Sequence, residues 1–212
     1  MKLFEPGCIG RLSVRNRIVM APMGAAGLVE FDGRFSPRAI DYYVARARGG
    51  TGLIVTGLTY VTRELEPAFH GPVVDHEKYI ARLNELAEAV HDHGARIAIQ
   101  LTAGLGRVAS LAQLRRVGAV APSAMPCYFD PAVTARELTT AEVDRLVRSF
   151  QVAAQVLCAA GIDAINLHAH EGYLFDQFQT ALWNRRTDMI RRISAGNNTS
   201  YAVTRKRVRS SY

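Results

Sequence analysis

No apolar run in this 212-residue chain approaches the roughly 18 uninterrupted residues that a membrane-crossing helix needs, so no membrane partner is expected. The N-terminus, MKLFEPGCIGRLSVRNRIVMAP, is broken by Glu5, Pro6 and Arg11. It lacks the continuous apolar stretch of a secretory signal, and a cytoplasmic location is the expectation. Cysteine is scarce: Cys8, Cys127 and Cys158 are odd in number and uneven in spacing. That excludes a disulfide framework or zinc knuckle, and no metal site is expected. Cys158 falls in the apolar run of a helix candidate and is expected to be a buried thiol. Acid is missing altogether from Met189 to Tyr212, where six basic residues occur (Arg191, Arg192, Arg205, Lys206, Arg207 and Arg209). Residues 1–188 therefore hold 20 basic and 19 acidic groups, and the formal charge of +7 belongs almost wholly to the tail. That tail has neither interleaved aromatics nor a nucleic-acid-binding motif, so no nucleic-acid partner is expected.

What is present is the composition of an ordinary globular chain, 49% hydrophobic and 21% charged. Short apolar runs alternate with longer amphipathic segments. The strand candidates are Arg17–Ala21, Gly52–Thr56, Arg96–Leu101 and Ala164–His168. Each is short and rich in Ile, Val or Leu, as a strand buried on both faces of a parallel sheet must be. Between them lie helix candidates. Pro37–Arg48 follows Ser36, an N-cap with proline in the first helical position, and ends at Gly49-Gly50. Glu77–His93 sets Ile80, Leu83, Leu86, Ala87 and Val90 at helical spacing and ends at Gly94. Ala141–Ala160 starts after Thr139-Thr140 and ends at Gly161.

This rhythm of strand, helix and strand argues for right-handed βαβ units and a parallel sheet. It supplies about four units, whereas a closed (β/α)8 barrel has eight in about 250 residues. A doubly wound sheet is the alternative for this length. No Gly-rich phosphate loop follows the first strand, since PMGAAGLVEFDGRFS lacks the G-x-G-x-x-G spacing. Periodicity leaves both architectures open.

Three segments carry a resemblance. LFEPGCIGRLSVRNRIVMAPM, HDHGARIAIQL and GIDAINLHAHEGYLFDQFQTALWNRRTD resemble, in order and spacing, the first, third and fourth strand regions of the old yellow enzyme (NADH:flavin oxidoreductase) family. The resemblance implies an incomplete (β/α)8 TIM barrel, an α/β fold holding about the first four βα units. Residues 1–188 would be the N-terminal half of an FMN-binding barrel domain, and residues 189–212 a basic, divergent tail. It further implies FMN as cofactor, NADH or NADPH as reductant, and a small unsaturated carbonyl or acyl-CoA as substrate. Iron–sulfur (4Fe-4S) and FAD centres would belong only to a longer parent protein. Nothing in the sequence excludes an oligomer.

Active-site residues in such barrels stand at the C-terminal ends of strands. By resemblance, Pro22, Met23 and Gly24 after the first strand lie against the flavin ring. Gly57 after the second lets the ring approach, and Gln100 after the third pairs with its pyrimidine edge. His168 matches the first of the family's two carbonyl donors, and Tyr173 its proton donor, a phenol that keeps its proton at neutral pH. Glu171 stands where the second donor is usually His or Asn. A carboxylate cannot donate, and the H-x-x-E-G-Y pattern shifts the resemblance towards 2,4-dienoyl-CoA reductase-like members. Gly24 replaces the redox-tuning cysteine of some members. His170 is expected to point away from Glu171.

The later strands that would supply the flavin's phosphate grip are not in the sequence, so weak FMN binding, or none, is expected of the 212-residue chain. After WNRRTD the sequence departs from the family pattern. Suitable codons for Ile190–Ser194, read one nucleotide out of frame, encode Tyr-Gly-Gly-Ser-Leu, and a frameshift and a natural divergent tail both stay open. The leading expectation is an FMN-dependent reductase of activated C=C bonds in a truncated chain. A non-catalytic module that needs a partner to complete the barrel is the alternative.

Overall fold

The computed structural model describes residues 2–24, 27–65 and 71–190. The strands in chain order are β1 (Gly7–Ile9), β2 (Leu12–Val14), β3 (Val19–Met20), β4 (Leu53–Tyr60), β5 (Arg96–Thr102), β6 (Val120–Ala121), β7 (Met125–Pro126), β8 (Thr134–Glu137) and β9 (Ala164–Leu167). The α-helices are α1 (Pro37–Arg48), α2 (Ile80–His91), α3 (Leu111–Val117), α4 (Thr140–Ala159) and α5 (Leu174–Gln179). The chain forms two compact units. Of the described residues, those within 2–61, 71–101 and 152–167 make up one, and those within 62–65, 102–151 and 168–190 the other.

In the first unit, β1 and β2 form an antiparallel hairpin through Gly10, whose φ of 59° fits the tight turn. The main sheet has the order β3-β4-β5-β9, with β3 parallel to β4 and β5 parallel to β9. Successive side chains of a strand leave by opposite faces. Leu53, Val55 and Ala98 accordingly pack with Val14, while Ile54, Ile97 and Ile99 are buried on the other side. Both faces are apolar, so the strands read as unbroken hydrophobic runs. Helix α1 begins as its sequence dictates: the Ser36 hydroxyl accepts from the Ala39 N–H at 3.3 Å, and Pro37 fills the first turn.

The second unit carries a three-stranded sheet of order β6-β8-β7. It packs on a small core of Ala109, Leu114, Ala119, Ala121, Met125, Cys127 and Ala135. Helix α4 starts in a reciprocal cap. Thr139 Oγ1 accepts from the Glu142 N–H at 3.2 Å, and Glu142 Oε2 accepts from the Thr139 N–H at 2.8 Å.

Several expectations change. Strand β3 is only two residues long, β4 runs on to Tyr60, and the segment from Glu77 opens with a 3-10 turn, Glu77–Tyr79, before α2. Cys158 is exposed rather than buried. The buried face of α4 near its end is Ala153, Val156, Leu157 and Ala160, and Cys158 stands about 100° round the helix from Leu157, outside that stripe. β9 is not covered on both faces: Ile165 and Leu167 are exposed. The frameshift reading falls almost wholly on residues outside those described.

Candidate active site

The motif residues that carry the resemblance divide into clamps and site groups. Arg15 is a clamp: its guanidinium donates to the carbonyls of His93 at 2.5 Å, Ala47 at 2.6 Å and Thr51 at 3.0 Å. Asn16 Nδ2 donates to Gly50 O at 2.7 Å, and a Cβ on Gly52 would strike the same asparagine. Asp163 gathers the Ile97 N–H at 2.8 Å, His91 Nε2 at 2.7 Å and Arg96 at 3.2 Å. These contacts fix where strands begin.

At the other ends of the strands lie the groups expected to face a flavin. Met23 and Gly24 follow β3 and are exposed, and a Cβ on Gly24 would meet nothing within 4 Å. Gly57 is different. A Cβ there would collide with the Met23 carbonyl oxygen and lie 3.1 Å from Gly24 Cα. What Gly57 admits in this structure is the backbone of Met23 and Gly24, so it shapes the Pro22-Met23-Gly24 turn. Its N–H approaches the hydroxyl of buried Tyr43 at 3.4 Å, and burial pushes that phenol up to about 12.

Gln100 is buried near the end of β5. Its Nε2 donates to Asn166 Oδ1 at 2.8 Å, its register partner on β9. One amide N–H and the carbonyl oxygen stay available, so the group can still both donate and accept. Asn166 was not anticipated. It stands exposed on β9 and joins the candidates through this bond to Gln100.

In the second unit, the turn after β9 assembles the remaining candidates. His168 is 4% exposed, and its ring stacks on Tyr173 with centroids 4.7 Å apart and planes 20° from parallel. Burial, then the neighbouring His170, holds its pKa below the usual histidine range, so the imidazole is neutral at neutral pH. Tyr173 is shifted up by burial, by the Glu171 charge and by its hydrogen bond to Glu171, so it keeps its proton. Glu171 has a φ of 62°, the one positive value among described non-glycine residues. Its carboxylate lies 3.8 Å from His168 Nε2 and 3.8 Å from His170 Nδ1. His170 is exposed, but it faces Glu171 instead of pointing away as expected. The left-handed turn at Glu171 brings the carboxylate back over both rings. Gln177 braces the turn from α5, donating to Gly172 O at 2.7 Å.

The match to known proteins is broad. The profile of the NADH:flavin oxidoreductase / NADH oxidase family matches residues 2–197. The chain belongs to this family. Within it, the chain is 47% identical over 191 residues to cinnamate reductase from Clostridium sporogenes, covering 88% of this chain and 29% of that protein. It is 36% identical to an NADPH dehydrogenase from Bacillus velezensis, covering 88% of this chain and 54% of that one. The old yellow enzyme from Pichia has a TM-score of 0.79 at 26% identity, covering 98% of this chain and 55% of that chain. The family's (β/α) barrel is thus the fold, present here in part: β3, β4, β5 and β9 are its parallel strands. The chain spans about half, or less, of the length of these relatives.

Proposed function

We propose that the chain forms the substrate-facing part of an FMN-dependent NAD(P)H oxidoreductase that reduces an activated C=C bond. The observation that carries this reading is the pairing on one turn of a buried, neutral His168 with a protonated Tyr173 stacked against it. Family membership supports the cofactor, and the donor set fits it. Gln100 offers a donor and an acceptor on one amide, and Gly24 leaves open space beside the Pro22-Met23 turn. Bound FMN would supply the hydride, taken from NADH or NADPH.

The residues of the turn do the rest. A neutral imidazole at His168 offers one N–H to a substrate carbonyl oxygen and stabilises the charge that grows there. Tyr173 delivers a proton to the carbon next to that carbonyl. Glu171 accepts from the Tyr173 hydroxyl and so orients it between turnovers. The cinnamate reductase relative favours an aryl-substituted unsaturated acid or its thioester as substrate.

The test combines flavin binding and turnover. The chain is titrated with FMN, and NADH- and NADPH-dependent reduction of a cinnamoyl compound is followed with FMN in excess. Tyr173→Phe is expected to lower alkene reduction by roughly a hundredfold or more while FMN affinity stays within about twofold. Equal rates for Tyr173→Phe and the parent chain would sink the assignment. No alkene reduction even with FMN in large excess would favour a non-catalytic module.

A further inference from the structure

The turn after β9 also brings together atoms of another kind of chemistry. His168, His170 and Glu171 each offer one ligand atom, a ring nitrogen or a carboxylate oxygen, and these atoms all lie within 4.8 Å of one another. His168 is the fixed member, buried and stacked on Tyr173. Its Nδ1 has no hydrogen-bond partner, and its Nε2 is 3.8 Å from Glu171 Oε2, beyond hydrogen-bond range. The other two members are adjustable, since the side chains of His170 and Glu171 are 63% and 58% exposed.

We propose that His168, His170 and Glu171 form a binding site for a divalent late-transition cation, with zinc as the type case. Two imidazole nitrogens and one carboxylate oxygen are zinc's usual ligands where thiolate is absent, with water in the fourth position. At zinc's bond lengths, two ligands of a tetrahedral shell lie about 3.4 Å apart. His168 Nε2 lies 3.8 Å from Glu171 Oε2 and His170 Nδ1 lies 3.8 Å from Oε1, so closing the shell turns the exposed His170 ring out of its stack on His168, 4.3 Å away, and swings the exposed carboxylate round a stationary His168. One carboxylate charge offsets half of the cation's, and the rest is shared with the imidazoles and water.

The cation site does not rest on the flavin reading, although it uses His168. Cation and substrate carbonyl would compete for that imidazole, which makes metal occupancy a brake on the reaction proposed above.

The experiment uses the 212-residue chain without flavin or substrate, so its outcome is independent of turnover. Cobalt is added first and read by absorption. Zinc is then titrated against a chromophoric chelator. One cation per chain is expected, with d–d bands and no thiolate charge-transfer band, which separates this site from exposed Cys8 and Cys158. Zinc affinity falls by roughly tenfold or more in His170→Ala and in Glu171→Gln, and is unchanged in His93→Ala. Glu171→Gln keeps the side chain's shape, so the result stands even if His170→Ala folds poorly. A thiolate band, equal affinity in both variants, or no saturable binding up to millimolar zinc overturns the proposal.

Discussion

Glu171 pays a conformational penalty for its position. A left-handed φ of 62° costs an ordinary residue roughly 1–2 kcal/mol, and nothing in a surface turn requires glutamate there for folding. Glu171→Gly is therefore expected to stabilise the chain by about 0.5–1 kcal/mol, seen as a rise of a few degrees in the thermal midpoint by circular dichroism. A fall in the midpoint would show that the carboxylate's contacts outweigh the strain. At this scale the sequence was readable where partners are close along the chain. His168 and Tyr173 are five apart, and their placement on one turn follows from the motif. The Gln100–Asn166 bond was not readable, because it depends on the register of two strands separated by helix α4 and the whole second sheet. The grouping of His168, His170 and Glu171 is not readable for a related reason: these residues meet only through the left-handed backbone turn at Glu171.

At the scale of elements, legibility followed capping chemistry. Helix α1 was bounded correctly because Ser36, Pro37 and Gly49 each have one structural use. Helix α3 and strands β6, β7 and β8 gave no periodic signal, being short and packed around alanine. Helix α4 offers the test. Glu142 both caps Thr139 and pairs with Arg136 at 2.8 Å, and these contacts hold its carboxyl at about 2. Glu142→Ala is expected to destabilise by about 1 kcal/mol in urea unfolding at neutral pH. Because the folded value lies below the ordinary 4.5, the stabilisation is complete above about pH 4.5. It is lost as pH falls towards 2. The variant and the parent chain should thus converge in acid; a gap that persists at pH 2 would place the loss in packing instead.

For the whole molecule, the telling feature is the sheet's last strand. Ile165 and Leu167 on β9 are 41% and 38% exposed, an apolar edge open to pairing with other strands. Ile165→Lys is expected to raise the monomer fraction in light scattering at a given concentration, with the far-ultraviolet spectrum unchanged. Unaltered association would mean that this edge is not the sticking surface. The parallel order of the sheet was readable from the rhythm of strands and helices, but exposure at its edge was not, since an edge strand and a central one carry the same apolar run. Arg15 waits for the carbonyl of a residue 78 positions further on. At a synthesis rate of about 5–20 residues per second, that partner leaves the ribosome roughly 4–16 s after the arginine does. The N-terminal hairpin emerges first, yet the bond that ties it to His93 can close only after α1, β4 and α2 have been made.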